Sequence, residues 1–335
     1  MKTKSSPAFG LADVAAARCR LATGLRLTPC LIAPALSEIA GMTLWLKRDD
    51  LQRTGSFKER GARHALLCLD PAARARGVVA ASAGNHALGL AYHGAQLGVP
   101  VMVVVPVGAP AVKIARCRSL GAEVVLHGDT FHDAQAHARC LAAERGATHV
   151  HPFDDLNVIA GQGTMALEMV EQVPDGDVFV VPAGGGGLLA GVATVAKAVR
   201  PQAKVIAVEP TRAASFLAAR LAGGPVLHPP EPTVADGLAV ARVGDTTLAI
   251  AGPLVDDVVT VSEEELCRAI ALLARSGIVA EGAGAAAFAA VLAGKIAARA
   301  AVVPVTGRNI DPPVHAEIVA RHPLEPAVER TMRAA

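Results

Sequence analysis

The chain alternates between short, continuously apolar segments and longer segments in which apolar residues recur every three or four positions. Continuous apolar runs are typical of strands buried on both faces of a sheet, and the longer period is typical of amphipathic helices. The apolar runs predict strands at 44–47, 77–82, 99–106, 122–127, 149–153, 177–183, 204–210 and 301–305. The periodic segments predict helices at 11–23, 59–69, 85–97, 111–120, 130–145, 157–173, from the glycine run to 200, 262–276 and 283–292.

This alternation predicts an α/β fold, because strands that take turns with helices form βαβ units and parallel sheets. We expect two doubly wound open sheets with a cleft between them. Ligands of such sheets bind at the carboxyl ends of the strands. Three loops fall at such ends, at 82–85, 184–187 and 306–309.

Composition narrows the class of protein. The 335 residues carry a formal net charge of only +2, which argues against binding to nucleic acid or to a membrane surface. Six cysteines occur without a CxxC pair, as expected for reduced thiols in a cytoplasmic protein. The N-terminus lacks the apolar run of a signal peptide.

One uncharged segment, 178–196, has the length of a membrane span. It contains Pro182 and four consecutive glycines, which would leave backbone groups without partners in lipid. We therefore interpret it as a strand, a loop and a helix, and expect no membrane association.

A lysine follows a Gly-Ser turn in the sequence TGSFKERGA at 54–62. Turn residues before a helix-period pattern place Lys58 near a helix N-terminus, where the helix dipole disfavours a cation. An amine with a lowered pKa is nucleophilic and can form a Schiff base with an aldehyde cofactor. Position alone also allows an ordinary solvated lysine, and the other motifs decide between the two.

Four glycines, 184–187, follow one apolar strand and open a helix. Glycine amides at a helix N-terminus bind anions, and a phosphate is the natural ligand. The stretch 185–190 also fits the G-x-G-x-x-A dinucleotide pattern, with Glu209 ending the next strand, so that an NAD(P)-dependent oxidoreductase stays open at this point. A Walker loop is excluded because no Lys-Ser/Thr follows the glycines.

Eight motifs together resemble those of the fold-type II pyridoxal-phosphate enzymes, in the branch of threonine dehydratases and serine racemases. The similarity runs from about residue 28 to residue 311. The motifs are TGSFKERGA at 54–62, SAGNHALGLA at 82–91, GQGTMALE at 161–168, VVPAGGGGLLAG at 180–191, VEP at 208–210, ADGLAV at 235–240, EGAGA at 281–285 and VTGRNID at 305–311.

The resemblance implies a fold like that of the tryptophan synthase β-subunit, with pyridoxal 5'-phosphate in the cleft. It implies a large domain of residues 1–50 plus 155–335, a small domain of residues 51–154 inserted in it, and no C-terminal regulatory domain. Related enzymes are homodimers or homotetramers, and we expect the same here.

The resemblance also implies roles for individual residues. Lys58 is expected to form the Schiff base, and Thr306 to place a hydroxyl against the pyridine nitrogen. The expected cofactor-binding residues are Lys58, Phe57, Asn85, Gly184, Gly185, Gly186, Gly187, Leu188, Glu281 and Thr306. The expected substrate-binding residues are Ser82, Ala83, Gly84, Asn85 and His86; His86 could equally be a helix residue with only a local hydrogen bond.

The implied reaction is β-elimination from a 3-hydroxy amino acid, which gives a 2-oxo acid and ammonia. L-Threonine and L-serine are the substrates expected first. A hydroxyl at Thr306 gives a weak electron sink, which favours elimination over transamination. A bulkier substrate, such as phenylserine or 3-hydroxyaspartate, stays open because Arg308 stands where relatives have glycine. Serine racemisation is less favoured, because Ala83 replaces the hydroxyl residue of racemases and cannot exchange a proton.

No metal site is expected. Some relatives bind a divalent cation through a Glu at the position of Glu209 and an acid six residues later, but here that later residue is Ser215. One carboxylate is too few for Mg²⁺ or Ca²⁺. We expect Glu209 to make a surface hydrogen bond instead.

Overall fold

The computed structural model describes residues 9–324, 328 and 330–332. In this part of the chain the strands are β1 Cys30–Ile32, β2 Thr43–Arg48, β3 Val78–Ala81, β4 Val101–Val105, β5 Glu123–Leu126, β6 Thr148–His149, β7 Val178–Pro182, β8 Lys204–Pro210, β9 Asp257–Val261 and β10 Ala300–Val305. The α-helices are α1 Leu11–Leu21, α2 Pro34–Ala40, α3 Lys58–Leu67, α4 Pro71–Arg76, α5 Asn85–Leu97, α6 Ala111–Ser119, α7 Phe131–Arg145, α8 Leu156–Gln172, α9 Gly187–Val199, α10 Ser215–Ala222, α11 Asp245–Ala251, α12 Glu263–Arg275, α13 Gly282–Leu292 and α14 Pro312–Arg321.

These strands form two sheets, as the alternating pattern predicts. A six-stranded sheet has the order β1-β2-β10-β7-β8-β9, and a four-stranded sheet has the order β5-β4-β3-β6. All neighbours are parallel except β1, which runs antiparallel to β2 at one edge. The four-stranded sheet uses only residues between 78 and 149. The division into an inserted small domain and a large domain stays a prediction.

Short elements account for most differences from the sequence prediction. The strand expected at 149–153 covers only Thr148–His149, because Pro152 has no N–H and the chain turns there. Nδ1 of His151 accepts the backbone N–H of Asp154 at 2.9 Å within this turn. Five helices of six to ten residues and two strands fall outside the predicted segments: α2, α4, α10, α11, α14, β1 and β9.

Helix α8 lies between α3 and α9 and touches both through glycines. A Cβ atom on Gly161 would lie 2.6 Å from Cα of Gly61 on α3, and one on Gly191 of α9 would lie 2.6 Å from the nitrogen of Gly163 on α8. No side chain larger than hydrogen fits at either crossing. The three helices therefore meet backbone to backbone.

A charge-balanced cluster lies buried beneath α3. The guanidinium of Arg60 contacts Asp49 through Nε and Nη2 at 2.7 and 2.8 Å, and Glu168 through Nη1 and Nη2 at 2.7 and 2.8 Å. Lys47 also pairs with Glu168. Two cations face two carboxylates, so burial leaves no net charge in the cluster, and α3 is held to β2 and α8.

Among the described helices, none combines the length and the apolar composition that a bilayer crossing requires. The segment 178–196 forms β7, a loop and most of α9, as interpreted from its proline and glycines. The prediction of a strand, loop and helix at this position is therefore confirmed.

Candidate active site

Lys58 is the first residue of α3, which confirms its predicted place at a helix N-terminus. Its Nζ donates a hydrogen bond to the carbonyl oxygen of Pro152 at 2.8 Å and lies 5.3 Å from the centre of the Phe57 ring. Burial lowers the pKa of this amine to about 8, against the opposing charge of Glu281. The amine therefore loses its proton at a much lower pH than an ordinary lysine, as a nucleophilic lysine requires.

The turn before Lys58 is fastened to the end of β10. The N–H of Phe57 donates to the carbonyl of Thr306 at 2.9 Å, and the N–H of Arg308 donates to the carbonyl of Gly55 at 2.9 Å. Ser56 and Gly307 form an antiparallel bridge between these two segments. The lysine loop and the loop 306–309 therefore hold a fixed relation to each other.

The four glycines connect β7 to α9, as predicted. Gly186 has φ +90° and caps the helix, a conformation that glycine adopts without strain. In the described part of the chain, the backbone N–H groups from Gly184 to Leu188 have no protein acceptor. Several buried N–H groups at one helix N-terminus form a site for an anion.

Neighbouring segments hold the glycine loop in this shape. The hydroxyl of Thr247 donates to the carbonyl of Gly185 at 2.7 Å. A Cβ on Gly185 would overlap the ring of Phe153, and a Cβ on Gly187 would lie 2.9 Å from the carbonyl oxygen of Phe153. Phe153 follows Pro152, so that adjacent residues touch Lys58 and the glycine loop. The structure thus brings the two main predicted features together.

The turn 82–86 joins β3 to the N-terminus of α5, as predicted for a carboxylate site. Ser82 Oγ accepts the N–H of Gly84 at 3.2 Å, and Gly84 is the N-cap of α5 without a side-chain cap. Ala83, Gly84 and Asn85 are half-buried. This turn has the open helix N-terminus that binds an anion.

Asn85 makes two side-chain hydrogen bonds that cross from one sheet to the other. Its Nδ2 donates to Oε1 of Glu281 at 2.6 Å, and its Oδ1 accepts from Nδ2 of Asn309 at 2.6 Å. Burial raises the pKa of Glu281 to about 7, although the bond from Asn85 opposes this shift. Glu281 is also the N-cap residue of α13.

Thr306 directly follows β10, and its buried hydroxyl donates to the carbonyl of Ala283 at 3.3 Å. This long bond leaves the hydroxyl free to turn toward a ligand. Arg308, two residues on, has an exposed side chain that makes no hydrogen bond within the described residues. The structure therefore gives no support for a substrate contact by Arg308.

His86 is the second residue of α5, so that its backbone N–H belongs to the turn expected to bind the substrate carboxylate. The residue is 2% exposed, and neither ring nitrogen has a hydrogen-bond partner in the described part of the chain. Burial, with the charge of Lys58 as a second cause, holds the pKa of His86 well below its usual range. The expected local hydrogen bond is therefore absent, and the ring is a neutral group behind the lysine.

Glu209 is buried, and the prediction that it makes a surface hydrogen bond is therefore wrong. Its two carboxylate oxygens accept the N–H groups of Phe216 and Leu217, each at 2.8 Å. Burial raises the pKa of Glu209 to about 7, although these bonds oppose the shift. The carboxylate caps α10, and the described residues contain no cluster of three His, Cys, Asp or Glu side chains suited to a metal ion.

Sequence reasoning missed three residues of this site. Pro152 and Phe153 contact the lysine and the glycine loop, and Asn309 contacts Asn85. Asn309 lies inside the motif VTGRNID, which was the available signal for it. No pattern in the sequence indicates Phe153.

The arrangement offers an amine with a lowered pKa, a cradle of free amides for a phosphate, and a second helix N-terminus for a carboxylate. A phosphorylated aldehyde cofactor fits these groups, because the cradle excludes side chains larger than glycine and its amides have no protein acceptor. The cradle and the amine are linked through one dipeptide, so one ligand can reach both.

Three comparisons identify related proteins. Residues 21–307 match the family model described as "Pyridoxal-phosphate dependent enzyme". The chain is 43% identical to the L-threonine ammonia-lyase of Thermotoga maritima over 303 residues, which are 90% of this chain and 76% of the relative. The threonine deaminase isoform 2 of Solanum lycopersicum, in its processed form, superposes with a TM-score of 0.87 at 37% identity, over 92% of this chain and 86% of that one. The serine racemase of Dictyostelium discoideum superposes with a TM-score of 0.84 at 37% identity, over 90% of this chain and 99% of that one.

Proposed function

The chain belongs to the family of pyridoxal-phosphate-dependent enzymes of fold type II, and from this premise we propose that it deaminates a 3-hydroxy amino acid by β-elimination. The preferred substrates are L-threonine and L-serine, and the products are a 2-oxo acid and ammonia. The relative from Thermotoga maritima carries the name L-threonine ammonia-lyase at 43% identity. The observation that carries the proposal is the buried Lys58 amine with its lowered pKa, linked through Pro152 and Phe153 to the glycine cradle.

When bound, pyridoxal phosphate supplies an electron sink for the negative charge that develops at the substrate α-carbon. Lys58 is the residue that would hold its aldehyde, and the amides from Gly184 to Leu188 would hold its phosphate. Thr306 would offer its hydroxyl to the pyridine nitrogen, and Asn85 an N–H to the phenolic oxygen.

The protein groups then act directly on the substrate. The amides of the turn 83–86, together with the hydroxyl of Ser82, bind the substrate carboxylate and orient the α-hydrogen toward Lys58. Once the substrate amine has taken its place, the freed Nζ of Lys58 accepts that proton as a general base. The electron pair of the broken C–H bond becomes the Cα–Cβ double bond, and the β-hydroxyl leaves as water after taking up the proton that Lys58 accepted. The released enamine hydrolyses to the 2-oxo acid and ammonia.

Racemisation is the second candidate, because the serine racemase of Dictyostelium discoideum has the same fold at 37% identity. A racemase needs a second proton-transfer group on the face opposite the lysine, and Ala83 offers none there. We therefore favour elimination.

The experiment is a panel of 3-hydroxy amino acids on purified protein loaded with pyridoxal phosphate. Both enantiomers of serine, threonine, phenylserine and 3-hydroxyaspartate are scored for ammonia, 2-oxo acid and racemised product. We expect 2-oxo acid and ammonia in equal amounts, fastest with L-threonine or L-serine, and none with Lys58→Ala. Racemised product without ammonia would sink the proposal, and so would a bulkier substrate that outruns both by a wide margin.

We further propose a homodimer or homotetramer in the cytoplasm. All six cysteines are free thiols, as expected in a reducing compartment. Leu31 in the edge strand β1 and Leu27 just before it are 62% and 74% exposed, and such residues are suited to contact with a second copy. Analytical ultracentrifugation tests the oligomeric state; a monomer at micromolar concentration contradicts it.

A further inference from the structure

Four polar side chains form one hydrogen-bonded series between the two sheets. Arg116 on α6 donates from Nη1 to Oδ1 of Asn309 at 2.8 Å. Asn309 donates from Nδ2 to Oδ1 of Asn85 at 2.6 Å, and Asn85 donates from Nδ2 to Oε1 of Glu281 at 2.6 Å. Arg116 and Asn85 belong to helices that follow strands of the four-stranded sheet, whereas Asn309 and Glu281 lie beside the six-stranded sheet. We call these four residues the amide relay.

The direction of the bonds is set by groups that can act in only one way. A guanidinium only donates, so that the Asn309 atom facing Arg116 must be its oxygen. A backbone carbonyl only accepts, and the carbonyl of Thr54 receives a second bond from Nδ2 of Asn309 at 2.8 Å. The amide of Asn309 cannot rotate by half a turn without losing both contacts.

The orientation of Asn309 fixes that of Asn85 in turn. Because Asn309 presents an N–H, the facing atom of Asn85 is its oxygen, and its nitrogen faces Glu281. Glu281 uses one of the two N–H donors of Asn85. The second has no acceptor among the described residues, and it is the donor that stays free for a ligand.

The backbone before Lys58 keeps space for Asn309. Gly55 has φ +83°, and a Cβ there would lie 2.7 Å from Oδ1 of Asn309. Asn309 therefore packs directly on the turn that carries the lysine. Its amide is hydrogen-bonded to that turn through Thr54 and to α6 through Arg116.

We propose that Asn309, held by Arg116, is a positioning residue that points the free N–H of Asn85 toward the phenolic oxygen of pyridoxal phosphate. The inference rests on the role of Asn85 proposed above. A donor in this direction stabilises negative charge on that oxygen, whereas a rotated amide would present its own oxygen and repel it. The relay thereby sets both the affinity for the cofactor and its electronic state.

Asn309→Asp is the sharpest variant, because it keeps the shape of the side chain and replaces its donor with a second acceptor. It retains the contact with Arg116 and loses the bonds to Thr54 and Asn85. We expect the apoenzyme to bind pyridoxal phosphate roughly tenfold to hundredfold more weakly, as for loss of a hydrogen bond to a charged group. We also expect a shifted absorption maximum of the bound cofactor.

Variants at Arg116 test the outer end of the relay. Arg116→Met removes the donor and should shift affinity and absorption in the same direction as Asn309→Asp. Arg116→Lys keeps a donor and should restore most of both. Arg118→Met is the matched control, because Arg118 is exposed on the same helix and its side chain makes no hydrogen bond within the described residues.

Binding is measured by equilibrium dialysis of apoenzyme against pyridoxal phosphate, and the absorption maximum is followed against pH. A purely structural role would lower the Tm of Asn309→Asp and leave the absorption maximum and its pH dependence unchanged; that result overturns the proposal. No substrate enters these measurements. A wild-type protein that binds the cofactor but releases no ammonia would therefore contradict the proposed function and not the relay.

Discussion

The Nζ of Lys58 and the carbonyl oxygen of Pro152 are hydrogen-bonded at 2.8 Å, and this contact joins the two ends of the candidate site. Phe153, the next residue, lies with its ring against Gly185. The amine and the phosphate cradle therefore share one wall. A change in this dipeptide is expected to affect both groups together.

The lowered pKa of Lys58 predicts how fast the apoenzyme takes up its cofactor. Only the neutral amine attacks an aldehyde, and the pKa of Lys58 is about 8 rather than 10.5. We expect the rate of covalent attachment of pyridoxal phosphate to rise with pH, with a midpoint near 8. Stopped-flow absorbance measures this rate, with Lys58→Ala as the blank. A midpoint near 10.5 would show that burial does not act on this amine.

Ala83→Ser tests the choice between elimination and racemisation. The substitution supplies a hydroxyl at the position where racemases have one, so that a second face of the substrate can be protonated. We expect the ratio of racemised serine to 2-oxo acid to rise, with less 2-oxo acid per turnover. Chiral chromatography of both products checks this, and Ala87→Ser on the buried side of α5 is not expected to change the ratio. An unchanged ratio with Ala83→Ser would mean that other groups decide the outcome.

Gly185→Ala tests the close contact at the cradle. The added methyl would overlap the ring of Phe153, and such overpacking costs about 1–3 kcal/mol of the free energy of unfolding. We expect a lower Tm and weaker binding of pyridoxal phosphate. Gly224→Ala is the control, because no atom lies within 4 Å of a Cβ there.

The double variant Gly185→Ala with Phe153→Ala separates this clash from other effects. In the Phe153→Ala background, which lacks the ring, Gly185→Ala should lower the free energy of unfolding less than it does in the wild type. Such a difference is a coupling between the two sites. Strictly additive losses of stability would rule out the contact as the cause.

Arg60→Met tests the buried charge cluster. The change leaves Asp49 and Glu168 with only Lys47 as a cation, and loss of one partner from a buried ion pair costs about 3–5 kcal/mol. The control is Arg268→Ala, which removes an exposed pair with Glu264 and should cost about 0.5 kcal/mol or less. Urea unfolding at pH 7 measures both. Equal losses would mean that the cluster contributes no more than a surface pair.

The raised pKa of Glu209 predicts that the free energy of unfolding falls as the pH rises. Its pKa is about 7 in the folded protein and 4.5 in the reference state. Between these values the folded state binds more protons than the unfolded state, so the free energy of unfolding decreases as pH rises from about 4.5 to 7. Glu209→Gln does not titrate and should show a shallower decrease than the wild type in urea unfolding. Parallel curves would contradict the raised pKa.

Local features of this fold were predictable from sequence, and contacts between distant segments were not. The start of α3 at Lys58 and the glycine run between β7 and α9 follow from turn chemistry and periodicity, and both are confirmed. Asn309 and Asn85 are 224 positions apart, and no period connects them. Their contact depends on how the two sheets meet.

The burial of individual acids was also beyond the sequence. Glu209 ends β8 as predicted, but its side chain turns inward to cap α10, a helix too short to give a clear period. The predicted strand at 149–153 failed because a proline and a histidine side chain redirect a run that is otherwise apolar. Turn geometry outweighed hydropathy at this position.

The glycine crossings of α8 have a consequence for variation among proteins built on this plan. Helix α3 carries the lysine, α9 begins at the phosphate cradle, and at Gly161 and Gly191 their backbones meet that of α8 directly. Substitutions that change side-chain volume elsewhere in the core therefore do not act through these crossings on the position of Lys58 relative to the cradle. The relative position of the lysine and the cradle therefore depends on two glycines at which any added side chain would clash with backbone.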